Sequence, residues 1–391
     1  MDDDHIMRKK PEAIEMEFQD SGESALVKST LLSSLQNSEW EIAVRREVKK
    51  FLEKAGDDVN AKEVFDAVKD MARREIPQEA KKKLYDQVLE FVTSTNNRNG
   101  YSSYDFVRAD YGTQGSYGGK TENAPKVVNT PVVFIHGNSD AALRRSSAAT
   151  GWSNSVQYFL EHGYTVAELY ATSWQDTNAL NAAKRTHDCT DLIRLRKFLE
   201  AVLAYTGAPK ISVVSHSMGV TLARKIIKGG SVSAPDGSCD LGLPLNKKVE
   251  VMIGIAGANY GLCNCEGGSA TLEKTCNRNN GLWPGDSCGL NYLDCGLTPL
   301  PWPCSGVNYS TFLMQLNSDK NKEGDYVFSM WSLSDDLIEY GNMVWGRSTS
   351  FIPTSDGKVI YHVYTHMETK ELTYVDQYQM VKYKTIPSPT A

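Results

Sequence analysis

Residues 211–220 read Ile-Ser-Val-Val-Ser-His-Ser-Met-Gly-Val, and this stretch decides the architecture of the larger part of the chain. Apolar, β-branched residues run into a cluster of small ones, and helical spacing begins at Leu222. The pattern predicts a buried strand, a sharp turn and a helix, with Ser217 at the tip of the turn. A serine in such a turn projects its hydroxyl above the end of a parallel sheet, so Ser217 is a candidate nucleophile.

The motif around Ser217 departs from the usual Gly-x-Ser-x-Gly pattern at one position. Ser215 replaces the first glycine, whereas Gly219 keeps the second. Small residues are needed on both sides because the turn is crowded, and serine meets that need. The alternative is an ordinary serine-rich turn between a strand and a helix.

Composition limits the classes of function. The chain has 391 residues and a net charge of −6, which argues against a nucleic-acid-binding surface spread over the molecule. The sequence contains no apolar run long enough to cross a bilayer. The first ten residues are charged and lack the apolar core of a secretory signal, so the chain as written is not expected to be exported.

The cysteines point to a different compartment. All 8 follow residue 188, and six lie between Cys263 and Cys304 among glycines, asparagines and prolines. An even number in a loop-rich stretch predicts disulfides in an oxidising compartment. The alternative, a zinc cluster, lacks paired Cys-x-x-Cys motifs and neighbouring histidines, so no metal is expected. A glycosylation sequon at Asn308 also fits export.

The cysteine-free first part of the chain predicts a small all-helical domain over residues 21–93. Residues 1–20 form a charged tail, and residues 94–125 form a polar linker together with the start of the second domain. Four helices are expected, with inward faces that contain in particular Trp40, Val44, Val48, Phe51, Leu52, Val64, Phe65, Val68, Met71, Ala80, Leu84, Val88 and Phe91.

This helical segment resembles the enhancer-of-yellow-2 family of transcription and mRNA export factors. The resemblance rests on residues 20–23, on the stretch from Leu35 to Trp40, on Val48-Lys49-Lys50-Phe51 and on Ile76-Pro77 with the lysines that follow. It implies an adaptor that clasps a helix of a protein partner, in a histone-deubiquitinating coactivator module and in an mRNA export complex at the nuclear pore. The alternative is a generic charged helical hairpin.

Beyond the linker, strands alternate with helices, which predicts a doubly wound parallel sheet. Residues 131–135, 163–169 and 249–255 are expected as strands, and residues 191–205 as a long helix. The first strand ends in His136-Gly137-Asn138, a turn that can direct a backbone N–H towards the nucleophile. The expected oxyanion donors are the N–H groups of Asn138 and Met218.

The strand and helix alternation is interrupted at about residues 261–310 by the cysteine-rich stretch. Its leucines and aromatic residues could line an acyl pocket or form a lid. The alternative is a surface loop with a small core of its own.

A serine nucleophile needs a histidine base and a carboxylate that orients it. After Ser217 only His362 and His366 remain, and His366 is preferred because it follows a strand whereas His362 lies within it. Asp336 is the preferred acid, with Asp335 beside it as the main alternative and Asp325 and Asp356 as further candidates. No cofactor is required.

With these residues, the second part resembles the class 2 triacylglycerol lipases, most closely their secreted, cysteine-rich animal branch. The matching motifs are residues 131–140, 215–220, 254–259, 334–338 and His366 between Thr365 and Met367; the family has alanine where this chain has Ser215. The resemblance implies an α/β-hydrolase fold over residues 126–391 and a Ser217, Asp336 and His366 triad that cleaves lipid esters.

The two resemblances imply different compartments, the cell exterior for the lipase part and the nucleus for the helical part. One hypothesis is a lipase joined to a helical adaptor module. A second is a nuclear adaptor with a passenger hydrolase. A third is that two neighbouring genes are merged in one predicted sequence.

Overall fold

The computed structural model of the chain describes residues 23–56, 59–84, 104–119, 127–147, 149–285, 295–296 and 306–387. The chain divides into two compact units, Met1–Ser102 and Ser103–Ala391. The predicted tail, the end of the fourth helix with Val88 and Phe91, much of the linker, and Cys288 and Cys304 lie outside the described residues.

The N-terminal unit contains α1 (Glu23–Leu35), α2 (Glu39–Ala55) and α3 (Ala61–Arg74). Ser38 caps α2 by accepting the N–H of Glu41, and Asn60 forms a capping box with Glu63 at the start of α3. These caps satisfy backbone N–H groups that have no partner within a helix, which fixes where the two helices begin.

Within its described residues, the N-terminal unit has few buried side chains. The indole N–H of Trp40 donates to the carbonyl of Ala72 over 2.6 Å and joins α2 to α3. Val68 is buried, but α2 contains no buried residue, and Phe65 is 59% exposed. The predicted inward faces are therefore only partly covered in the described residues. The fourth predicted helix begins within them, where the N–H of Lys81 bonds to the carbonyl of Pro77.

The C-terminal unit is built around a seven-stranded sheet with the order β1-β3-β2-β4-β7-β8-β11. All neighbouring pairs are parallel except β1 with β3. The strands of this sheet are β1 (Ser116–Tyr117), β2 (Val132–Ile135), β3 (Leu169–Thr172), β4 (Ile211–His216), β7 (Val249–Ile255), β8 (Tyr326–Ser332) and β11 (Gly357–Tyr361). Two hairpins lie outside it: β5 (Ser231–Ala234) with β6 (Gly237–Asp240), and β9 (Met343–Val344) with β10 (Arg347–Ser348).

Helices cover both faces of this sheet. Along β2, Val133 and Ile135 belong to one hydrophobic cluster and Val132 and Phe134 to the other, as the alternation of side chains along a strand requires. The helices are α4 (Ser153–Glu161), α5 (Cys189–Thr206), α6 (Met218–Lys228), α7 (Ser269–Leu272), α8 (Thr311–Ser318), α9 (His366–Glu371) and α10 (Tyr374–Tyr383). The predicted α/β-hydrolase architecture is confirmed.

One predicted strand is displaced. Residues 166–168 form a 3₁₀ turn instead of a strand, and β3 begins only at Leu169. Thr165 and Glu168 form a capping box, and the Glu168 carboxylate also accepts the N–H groups of Val128 and Asn129. The buried carboxylate of Glu168 thus accepts several backbone N–H groups just before the strand begins. The apolar residues around Glu168 in the sequence give no indication of these hydrogen bonds.

The predicted disulfides are confirmed in the described residues. Cys189 pairs with Cys239, Cys263 with Cys295, and Cys265 with Cys276. Two of these bonds lie in the predicted insertion, and the third joins the start of α5 to β6. Because these cysteines are bonded to one another, they are not available to a zinc ion.

Candidate active site

Ser217 lies at the junction of β4 and α6 in a backbone conformation that non-glycine residues rarely adopt. Its φ is 56° and its ψ is −131°. The conformation is held by two hydrogen bonds, from the N–H of Ser217 to the carbonyl of Ile255 and from the N–H of Val220 to the carbonyl of Ser217. Such strain is typical of a nucleophile elbow.

The elbow is packed against the turn that follows β2. A Cβ atom added to Gly219 would lie 2.4 Å from the carbonyl oxygen of His136, and one added to Gly137 would lie 2.7 Å from the Cβ of Ser217. Both positions therefore require glycine. Ser215, which replaces the usual first glycine, is fully buried, and its hydroxyl donates to the carbonyl of Ile253 over 2.9 Å.

His366 is the first residue of α9, and Thr365 caps this helix. Its ring packs against His216, with 4.5 Å between centroids, and its carbonyl lies 3.1 Å from the Nε2 of His216. Because His216 directly precedes Ser217, the structure brings His366 to the elbow. His362, the alternative base, lies one residue beyond β11 and is exposed, so the expectation that it lies within the strand is wrong.

The ring of His366 pairs with Asp335 and not with Asp336. The Nδ1 of His366 lies 2.8 Å from the Oδ2 of Asp335, whose side chain is fully buried. Asp336 is exposed and instead accepts the backbone N–H of His366 over 2.8 Å. The structure thus contradicts the preference for Asp336, because the carboxylate beside the His366 ring is that of Asp335. The turn after β8 directs the first of the two carboxylates inward and the second towards solvent.

The environment of Asp335 favours its ionised form. Burial alone would raise the pKa of this carboxyl, but the hydrogen bond and charge of His366 and the N–H groups of Ile338 and Leu337 together lower it. An ionised acceptor requires Nδ1 of His366 to carry the proton. The described residues give Nε2 of His366 no hydrogen-bond partner, so this buried nitrogen is available as a base.

The backbone N–H groups of Met218 and Asn138 are the candidates for binding an oxyanion. Met218 is the first residue of α6 and cannot donate within its own helix. The side chain of Asn138 is held by the carbonyl of Ala182 and by Arg185, which also contacts Ser139. Among the backbone hydrogen bonds of the described turns and loops, none uses the N–H of Asn138 or Met218.

His136 supports this turn as a neutral ring. Its Nε2 accepts the backbone N–H of Trp174 over 2.9 Å, so its Nδ1 carries the proton and donates to the carbonyl of Gly137. The indole N–H of Trp174 returns a bond to the carbonyl of His136. Burial lowers the pKa of His136 to about 4.

Three buried histidines predict acid sensitivity of the C-terminal unit. Burial lowers the pKa of His136 and of His187 to about 4 and that of His216 well below its ordinary value. The unfolded chain, with histidine pKa values near 6.5, binds more protons as the pH falls from 6.5 to 4, so stability decreases in that window. Asp191, whose pKa burial raises to about 6, acts in the opposite direction.

A His187→Asn variant isolates the contribution of one buried histidine to this pH dependence of stability. In the described structure Nδ1 of His187 lies 2.7 Å from the carbonyl of Asn280, and the asparagine amide can replace that donor. We expect the wild type to lose about 2 kcal/mol more unfolding free energy than the variant between pH 7 and pH 5, measured by urea denaturation. Equal losses would contradict a neutral, buried His187.

The described residues contain no cluster of three or more histidine, cysteine, aspartate or glutamate side chains that could hold a metal ion. None of the described helices is both long and apolar enough to cross a membrane.

Each of the two parts of the chain matches a known protein family. Residues 11–92 match the family "Transcription factor e(y)2", as the sequence motifs predict. The comparison with curated proteins found no match. Among solved structures, the chain is similar to the mature lipase BlEst2 of Bacillus licheniformis, with 13% identity, a TM-score of 0.41 and coverage of 68% of this chain and 97% of that one.

Two further solved structures are similar at the same level. The monoacylglycerol lipase of Paleococcus ferrophilus is 14% identical, with a TM-score of 0.39 and coverage of 66% of this chain and 97% of that one. Lipase B of Aspergillus fumigatus is 12% identical, with a TM-score of 0.43 and coverage of 94% and 86%.

The family assignment rests on a match over most of the C-terminal unit. The family "Lipase (class 2)" matches residues 129–379, a range that contains β2, Ser217, Asp335 and His366. This match covers more than half of the chain. The chain belongs to the class 2 lipases.

Proposed function

We propose that the C-terminal unit hydrolyses lipid esters through Ser217, His366 and Asp335. The observation that carries the proposal is the pairing of His366 with buried Asp335 beside a strained serine. In the first step, Ser217 attacks the ester carbonyl while Nε2 of His366 takes the hydroxyl proton. Asp335 holds the tautomer of His366 that leaves this nitrogen free.

The negative charge that develops on the carbonyl oxygen must be stabilised by hydrogen-bond donors. The N–H groups of Asn138 and Met218 are proposed to receive it, and each such donor typically lowers the barrier by about 3 kcal/mol. His366 then returns its proton to the leaving alcohol. Water, activated by the same histidine, cleaves the acyl-enzyme and restores Ser217.

Exposed apolar side chains that follow several strands of the sheet favour a lipid substrate. Leu180 follows β3, Leu333 and Leu337 follow β8, and Val363 follows β11, and they are between 41% and 89% exposed. The carboxyl ends of parallel strands lie at one edge of the sheet, which is also the edge that carries Ser217. Exposed aliphatic groups at this edge suit contact with acyl chains.

Hydrolysis of esters tests the proposal. We expect the disulfide-bonded protein to cleave p-nitrophenyl butyrate and emulsified triacylglycerols, measured by p-nitrophenol absorbance and by titration of released acid. Reduced, unfolded protein serves as the control. Absence of hydrolysis by the folded protein on every ester in a chain-length series would contradict the proposal.

For the N-terminal unit, we propose the binding of a helical protein partner, as in coactivator or mRNA export assemblies. Its support is the match to the transcription-factor family together with exposed apolar side chains: Leu32 is 64%, Ile42 57% and Phe65 59% exposed. Phe65→Asp should abolish co-purification of such subunits, whereas a change at exposed Lys62 should not. Equal recovery with both variants would contradict this role.

The two functions belong to different compartments, and we propose that the active hydrolase is an exported form. Its disulfides persist in oxidising compartments, and Asn308 in the single glycosylation sequon is exposed. A loss of mass from a peptide containing Asn308 after glycosidase treatment of the native protein would support export. An unmodified Asn308 in a hydrolase recovered only from nuclei would contradict it.

A further inference from the structure

A buried ion pair joins two segments of the candidate active site. The ammonium of Lys370 lies 2.5 Å from the Oδ2 of Asp140, and the two side chains are 1% and 3% exposed. The Oδ1 of Asp140 accepts the N–H groups of Ala141 and Gly151, and Lys370 also donates to the hydroxyl of Thr150 over 3.0 Å. The charges of both side chains are therefore compensated in the interior.

The two partners belong to the segments that carry the oxyanion donor and the base. Asp140 lies two residues after Asn138, and its N–H closes the turn by bonding to the carbonyl of Gly137. Lys370 lies four residues after His366 on α9, one turn along the same helix face. The ion pair therefore connects the turn after β2 directly to α9.

We propose that Asp140 and Lys370 are positioning residues for ester hydrolysis, a role that rests on the proposed function. The pair fixes the distance between the N–H of Asn138 and the ring of His366, so that both meet a substrate carbonyl at Ser217. Neither residue touches the reacting atoms. A shift of about 1 Å between such groups can cost about a hundredfold in rate.

A second buried ion pair provides a matched control. Arg224 and Glu323 are fully buried and lie 2.7 Å apart. Glu323→Gln, like Asp140→Asn, removes a buried carboxylate and leaves buried positive charge without its main counter-ion, which destabilises a protein. Glu323 bonds to Arg224 and Thr354 and also lies 3.6 Å from the ammonium of Lys228. None of these contacts involves the turn after β2 or α9.

The experiment compares Asp140→Asn, Lys370→Met, the double variant and Glu323→Gln on p-nitrophenyl butyrate, below the melting temperature of each. We expect kcat to fall about 10- to 100-fold in the first three, with KM within about twofold of wild type. Affinity for a boronic acid that forms a tetrahedral adduct should fall with kcat. The double variant has no uncompensated charge, so it remains informative if a single variant does not fold.

The decisive outcomes are distinct. Wild-type kcat in the folded double variant, or an equal loss of kcat in Glu323→Gln, would overturn the positioning role while leaving ester hydrolysis in place. A wild-type protein that hydrolyses no ester would instead overturn the proposed function, and the positioning role with it.

Discussion

Replacement of Ser217 by alanine should lower kcat for ester hydrolysis by about a millionfold and leave the fold intact. The residue supplies the only nucleophile proposed for the reaction, so its loss removes the acyl-enzyme step altogether. The Cβ of alanine occupies the space that the Cβ of Ser217 already occupies against Gly137. The measurement is kcat for p-nitrophenyl butyrate beside the thermal unfolding midpoint.

Ser215→Ala is the matched control for this experiment. Ser215 lies two residues earlier on β4, and its hydroxyl only donates to the carbonyl of Ile253. We expect this variant to lose about 1 kcal/mol of stability and to keep kcat within a few-fold of wild type. Retention of most hydrolysis by Ser217→Ala, or a comparable loss in Ser215→Ala, would contradict the assignment of the nucleophile.

The second large effect separates two adjacent carboxylates. Asp335→Asn should lower kcat by about ten-thousandfold at neutral pH, because an amide no longer stabilises the protonated imidazole and favours the wrong tautomer of His366. The geometry behind this expectation is the 2.8 Å contact between Asp335 and Nδ1 of His366. Steady-state kinetics across a pH series would measure it.

Asp336→Asn should have a far smaller effect, within about tenfold of wild type. The side chain of Asp336 is exposed and accepts only the backbone N–H of His366, and an asparagine oxygen can accept the same bond. A larger loss of kcat in Asp336→Asn than in Asp335→Asn would reverse the assignment of the orienting acid.

Much of the fold and of the candidate site could be predicted because the relevant signals are local in sequence. The motif around Ser217 specifies a strand, a turn and a helix within ten residues, and β4 and α6 form as expected. His366 was one of only two histidines after the serine. The roles of Ser217, His366, Asn138 and Met218 in catalysis remain predictions.

The choice between Asp335 and Asp336 could not be made from the sequence, because it depends on the course of a single turn. Both carboxylates follow β8, and one residue decides which of them faces His366. The pair of Asp140 and Lys370 was missed for another reason. Its partners are separated by 230 positions in the chain, so no local motif indicates the contact.

The most direct test of the account is the site at which a fluorophosphonate probe modifies the folded protein. Such probes form a covalent bond with activated serines, so tandem mass spectrometry of the digested adduct identifies the nucleophile. We expect a single adduct, on Ser217, that is absent when the protein is denatured before labelling. An adduct on another serine, or no adduct in the folded protein, would contradict the central claim that Ser217 is the nucleophile of a lipid ester hydrolase.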